Sequence, residues 1–160
     1  MNLQLKKFNP KSIDDNRVCV FIGKRGTGKT TLVTDIMYHK RNIPVGMVMS
    51  GTEEGNSYYQ QYIPDSFVYN DYQSDVIDKV LVRQKKMVRT KAPNAGVFVL
   101  LDDCMYDKKM VRDKCIRAIF MNGRHWKLFF MLTMQYCMDL SPDLRANIDY
   151  IFILRENIIQ

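Results

Sequence analysis

The chain has 160 residues, 46% hydrophobic and 26% charged, with 8 glycines and 5 prolines; this suits one globular domain over residues 1–160 and excludes wholesale disorder. Its apolar runs fall short of the roughly 18 to 20 residues that cross a bilayer, and the opening MNLQLKKFNPKSIDDNR lacks the apolar stretch of a signal peptide, so no membrane span and an intracellular location are expected. Lys plus Arg outnumber Asp plus Glu by 24 to 17, a formal charge of +7, which favours an acidic partner with nucleic acid first.

The first predicted strand, 18–22, is apolar throughout, as strands are when helices cover both faces of a parallel sheet. Directly after it, residues 23–30 read GKRGTGKT and fit GxxxxGK[ST] at every fixed position, between a predicted strand and a helix predicted at 31–38. Gly23, Gly26 and Gly28 permit backbone angles closed to other residues, so the N–H groups of the loop, with Lys24, Arg25 and Thr27, can curl around a phosphate that side chains at the glycines would block. Lys29 then reaches the β- and γ-phosphates as a point charge, Thr30 offers its hydroxyl to magnesium, and the helix opening at Thr31 adds its positive end. His39 stands near the end of that helix, where positive charge suits the dipole.

A second strand is expected at 45–49. The stretch 51–75 mixes turn formers with Tyr58, Tyr59, Tyr62, Phe67, Tyr69 and Tyr72 and reads as an insertion or edge hairpin, its tyrosines packing on the sheet or stacking on bases. At 73–89 the spacing predicts a helix. Val76, Ile77, Val80, Leu81, Met87 and Val88 fall within an arc of about 140°, and Lys79, Arg83, Lys85, Lys86 and Arg89 fill the other side, a solvated surface or a stripe facing phosphates.

The run at 96–101 predicts a buried strand. Asp102 at its C-terminal end is where such sheets bind ligands and is the candidate to hold magnesium; Asp103, next to it, is the candidate to orient the attacking water. A strand at 128–133 is followed by Gln135, whose amide is positioned to sense a γ-phosphate. A sensor strand lying between the loop strand and the acid strand defines the additional-strand (ASCE, RecA-like) P-loop NTPases, α/β folds with a mostly parallel sheet and helices on both faces. A last strand is expected at 150–154. Cys19, Cys104, Cys115 and Cys137 contain no CxxC pair and read as reduced thiols. Trp126 reads as core or interface packing.

Together, GKRGTGKT, VFVLLDDC, NGRHWKLFFMLTMQY and LRANIDYIFILREN resemble the genome-packaging ATPases of nucleocytoplasmic large DNA viruses, of poxvirus and mimivirus type, a branch of the FtsK/HerA superfamily. The resemblance implies ATP and Mg²⁺ as cofactors and ATP hydrolysis that threads double-stranded DNA into a preformed capsid. It implies a homo-oligomeric ring, hexamer or pentamer, with capsid components as partners, in the host cytoplasm, the viral factory or the virion. It also implies an arginine donated by the neighbouring subunit, for which Arg124 and Arg145 are the candidates, Arg145 being preferred; such a residue contributes about 10³ to 10⁵ in rate. Members continue well past the strand ending near Leu154, so this chain is expected to lack a C-terminal part. The alternative reading is a small P-loop kinase passing the γ-phosphate to a nucleotide or metabolite; against it, no arginine-rich lid segment is present.

Overall fold

The computed structural model describes residues 4–104 and 109–154. Six strands form one sheet: β1 (Val18–Ile22), β2 (Gly46–Ser50), β3 (Val68–Tyr69), β4 (Val97–Asp102), β5 (Leu128–Met134) and β6 (Tyr150–Ile153). Every pairing is parallel, in the order β3-β2-β4-β5-β1-β6. The helices are α1 (Lys29–His39), α2 (Glu53–Asn56), α3 (Ser74–Arg89), α4 (Lys109–Arg112), α5 (Lys114–Asn122) and α6 (Pro142–Arg145).

Successive strand residues feed two cores, because side chains alternate across a pleated sheet. Val18 and Val20 of β1, Val97, Val99 and Leu101 of β4, and Phe130 and Leu132 of β5 pack with Ile77 and Leu81 of α3, Ile116 and Ile119 of α5, and Leu144 of α6. Cys19, Phe21, Leu100, Phe129 and Met131 point the other way, onto Val33 and Ile36 of α1 and onto Ile13, Tyr59 and Ile63. Full burial of each such side chain contributes about 1.5–3 kcal/mol, so the uninterrupted apolar strands follow from helices on both faces.

The stretch 51–75 is not a hairpin. It holds α2, two turns of 3-10 helix (Tyr59–Gln61 and Asp65–Phe67) and the edge strand β3, which pairs parallel with β2. A parallel neighbour needs a crossover, and these turns supply it. The tyrosines mostly pack: Tyr59 is buried, with Tyr58 edge-on to it at 5.2 Å.

Helix α3 buries Ile77 and Leu81 as its spacing predicts, and it also buries Gln84. The Gln84 amide donates to the carbonyls of Ala95, 2.7 Å, and Trp126, 2.8 Å, just ahead of β4 and β5. Part of its basic face is satisfied within the chain: Lys79 pairs with Asp75 at 3.3 Å, and the Lys85 ammonium sits 4.8 Å from the centre of the Trp126 ring. Cys19, Cys104 and Cys115 are free thiols, and the side chain of Cys137 lies outside the described residues, as do 155–157 of the closing motif. No helix among the described residues is long and apolar enough to cross a membrane.

Candidate nucleotide and magnesium site

Parallel strands bring their C-terminal ends to one edge, and the predicted site lies there. The Gly23 N–H donates to the Met134 carbonyl at 3.1 Å, which fixes the start of the phosphate loop against the end of β5. Gly26 and Gly28 have φ of 73° and 90°, the left-handed region that favours glycine. A Cβ at either would meet no atom within 4 Å, so the loop's conformation, not crowding in the protein, demands glycine there. Thr27 closes the turn by donating from Oγ1 to the Lys24 carbonyl at 2.8 Å.

Lys29 is 8% exposed, and its ammonium donates to the carbonyls of Gly23, 2.6 Å, and Lys24, 2.9 Å. An ammonium has three donors, so these two bonds anchor it over the loop and leave one direction for a phosphate. The loop, Lys29, Thr30 and Thr31 line a cleft of about 630 Å³ with Thr52, Asp102 and Asp103. Arg25, Thr52 and Asp103 also border an adjoining recess of about 380 Å³ that ends at Gln135, Tyr136 and Asp139. The structure thus gathers residues of the loop, the two acids and Gln135 along one edge of three adjacent strands, with β5 between β1 and β4.

Asp102 is almost fully buried, and its carboxylate is held from three sides. Thr133 Oγ1 donates to Oδ1 at 2.6 Å; the Tyr59 hydroxyl donates to Oδ2 at 2.6 Å; Thr30 Oγ1 stands 3.5 Å from that same Oδ2. Burial, and then the charge of Asp102, raises the Tyr59 pKa far above the ordinary phenol value, so the hydroxyl stays a donor. An alcohol and a carboxylate oxygen this close are hard donors of the kind magnesium takes together with waters, so Thr30 and Asp102 fit the ion.

Asp103 has φ of 51°, unusual for a residue with a side chain. Its N–H donates to Thr133 Oγ1 at 2.9 Å, and its carboxylate lies 3.6 Å from the Arg25 guanidinium, which is 80% exposed. Such a solvated pair contributes little stability, so Arg25 is free to turn toward another anion.

The two arginine candidates lie apart from this cleft. Arg124 sits at the opposite ends of the strands, ion-paired with Asp149, whose other oxygen accepts the Val18 N–H. Arg145, at the end of α6, lines a separate cavity with Arg112 and Arg117 that shares Asp139 with the recess, its guanidinium 3.0 Å from Met138 Sδ.

Sequence reasoning missed Tyr59, Thr133, Thr52 and Glu53. Glu53 is buried; its Oε1 accepts the N–H groups of Tyr59 and Gln60, and its Oε2 has no partner among the described residues. Thr133 carried a signal, as the one polar side chain in LFFMLTM. Tyr59 did not stand out among its neighbouring tyrosines.

A glycine loop between β1 and α1, an acid ending β4 and a third strand between them make this a P-loop NTPase fold of the additional-strand type. Within that class the chain belongs to the poxvirus A32 protein family, whose profile matches residues 5–158. It is 42% identical over 154 residues to uncharacterized protein 075L of Invertebrate iridescent virus 6, covering 93% of this chain and 60% of that protein. To uncharacterized protein L437 of Acanthamoeba polyphaga mimivirus it is 36% identical over 170 residues, covering 97% and 60%. The chain therefore spans about three-fifths of the length of these relatives. Among solved structures, the genome packaging NTPase B204 from Sulfolobus turreted icosahedral virus 2, in complex with sulfate, superposes with a TM-score of 0.66 over 90% of this chain and 76% of that one. At 18% identity this is a likeness of fold.

Proposed function

We propose that this chain binds ATP with magnesium and hydrolyses it, and that the whole protein uses the turnover to move double-stranded DNA into a viral capsid. The observation that carries the reading is the meeting of Lys29, Thr30, Asp102, Asp103 and Gln135 at the ends of three adjacent strands. Family membership and the packaging role named for B204 support the DNA part, and neither supports the kinase alternative.

The residues divide the work as follows. Loop N–H groups and the Lys29 ammonium oppose the β- and γ-phosphate charge before reaction, which lowers the cost of the charge that shifts toward the leaving oxygen. Thr30 and Asp102 would hold magnesium, which would supply positive charge against phosphate oxygens. The Asp103 carboxylate, at the junction of cleft and recess, orients a water for attack on the γ-phosphorus. Gln135, which lines the recess with Asp103, reports whether the γ-phosphate is present. An arginine of a neighbouring copy completes the site in a ring of five or six, and Arg145, whose cavity shares Asp139 with the recess, is better placed for this than Arg124, which Asp149 holds. One domain over residues 1–160, capsid components as partners, and a setting in the host cytoplasm, viral factory or virion belong to the same proposal.

The test is ATP hydrolysis by the purified chain with and without duplex DNA, at low and moderate salt, with nucleoside monophosphates as competing acceptors. Hydrolysis stimulated by DNA and fading with salt is the expected result. Transfer of phosphate to a monophosphate, indifferent to DNA, would replace the motor with a kinase. Lys29→Ala should abolish nucleotide binding, and an unchanged affinity would remove the site itself.

A further inference from the structure

We propose that Tyr59 is a positioning residue for magnesium: its hydroxyl, together with Thr133, fixes the Asp102 carboxylate so that one face of Oδ2 is presented to the ion. The inference rests on the proposed nucleotide site and assigns a role that the phosphate-loop and acid motifs do not contain.

A free aspartate side chain rotates about its terminal torsion, and each carboxylate oxygen offers two lone pairs. Here Oδ1 is taken by Thr133 Oγ1 at 2.6 Å, and Oδ2 receives the Tyr59 hydroxyl at 2.6 Å, with Thr30 Oγ1 3.5 Å from Oδ2. Turning the carboxylate would break two short bonds inside a buried site. With Tyr59 on one lone pair of Oδ2, the other, which Thr30 Oγ1 faces at 3.5 Å, is fixed relative to Thr30, the other candidate ligand, so the carboxylate is already ordered when the ion arrives.

Tyr59 is itself held. Its ring lies in the core on the α1 face of the sheet, 1% exposed. Its N–H is accepted by Glu53 Oε1 at 2.8 Å, and the neighbouring Tyr58 hydroxyl is 3.1 Å from Thr34 Oγ1 on α1, one turn beyond Thr30. The crossover from β2 to β3 is thus tied both to the acid and to the helix that carries the magnesium threonine. A residue serving only the core would be satisfied by phenylalanine, whereas this hydroxyl, buried, makes its short bond to a carboxylate at the site.

The experiment measures ATP affinity of the chain by calorimetry with saturating magnesium and again in EDTA, for wild type, Tyr59→Phe, Thr133→Val and Thr133→Ser, with the melting temperature of each. Wild type should bind more tightly with magnesium. Tyr59→Phe and Thr133→Val should lose about tenfold of that magnesium-dependent tightening while affinity in EDTA stays within twofold, and Thr133→Ser, which keeps the hydroxyl, should restore it. Unchanged tightening in Tyr59→Phe would overturn the proposal, as would equal losses in both conditions, which mark a structural role. A wild-type chain that binds no ATP, or binds it without regard to magnesium, would instead bring down the nucleotide site on which the inference stands.

Discussion

Asp103 combines backbone strain with partial exposure where the chemistry is proposed. A left-handed backbone at a non-glycine residue costs on the order of 1 kcal/mol or more, and such strain persists where surrounding contacts enforce it, here the bond from its N–H to Thr133. Asp103→Gly should therefore fold at least as stably as wild type, gaining up to about 1 kcal/mol in chemical denaturation, yet lose ATP turnover. Asp103→Asn should keep ATP bound and stop hydrolysis; normal turnover in either variant would take Asp103 out of the mechanism. Gly28 makes the converse case: at φ 90° with open space around a built Cβ, Gly28→Ala should cost about 1–2 kcal/mol and weaken nucleotide binding by distorting the loop. The roles proposed for Lys29, Thr30 and Asp102 are legible in sequence because these residues lie within short motifs beside strand ends. Those of Tyr59 and Thr133 are not, since they reach Asp102 from 43 and 31 residues away and belong to types that occur everywhere.

At the scale of elements, α3 shows how a helical pattern can be right and incomplete. Its apolar spacing predicts the face that packs on the sheet, and Ile77 and Leu81 are buried there. The same face contains Gln84, whose amide serves two carbonyls at the beginnings of β4 and β5. Those carbonyls belong to segments far along the chain, so periodicity within the helix carries no sign of them. Gln84→Ala should leave both without this donor and destabilise the protein by about 2–3 kcal/mol in urea denaturation. A loss below about 0.5 kcal/mol would mean that water replaces the amide. The edge-hairpin reading of 51–75 fails for a related reason: its turn formers mark where the chain bends, while a parallel partner is chosen by the sheet.

At the scale of the molecule, Cys19 and Cys104 lie in the cores on opposite faces of the sheet. Burial pushes both thiols up to about 12 from an ordinary value of 9.0. Below about pH 9 folded and unfolded chains are both protonated there, and stability is unaffected. Between about 9 and 12 the unfolded chain releases protons that the folded chain keeps, so stability falls as pH rises. Each thiol should cost about 2 kcal/mol at pH 10.5, at 1.36 kcal/mol per pH unit. Denaturation midpoints should be level from pH 7 to 8.5 and drop by pH 10.5, less steeply in a Cys19→Ala, Cys104→Ala double variant. An equal drop in that variant would assign the alkaline sensitivity to other groups.

The sequence by itself determined the class of fold, five of the six strands, the long helices and the phosphate and acid motifs, because these follow from local rules: burial on both faces, backbone freedom at glycine, and charge opposed to phosphate. Only the tertiary structure decided the outer strands, β3 beside β2 and β6 beside β1, and the hydroxyls of Tyr59 and Thr133 closing on Asp102. It also parted Arg124, paired with Asp149 at the far ends of the strands, from Arg145, which lines a separate cavity with Arg112 and Arg117. These are contacts between distant segments, and they exist only once the sheet has brought its strand ends to a common edge.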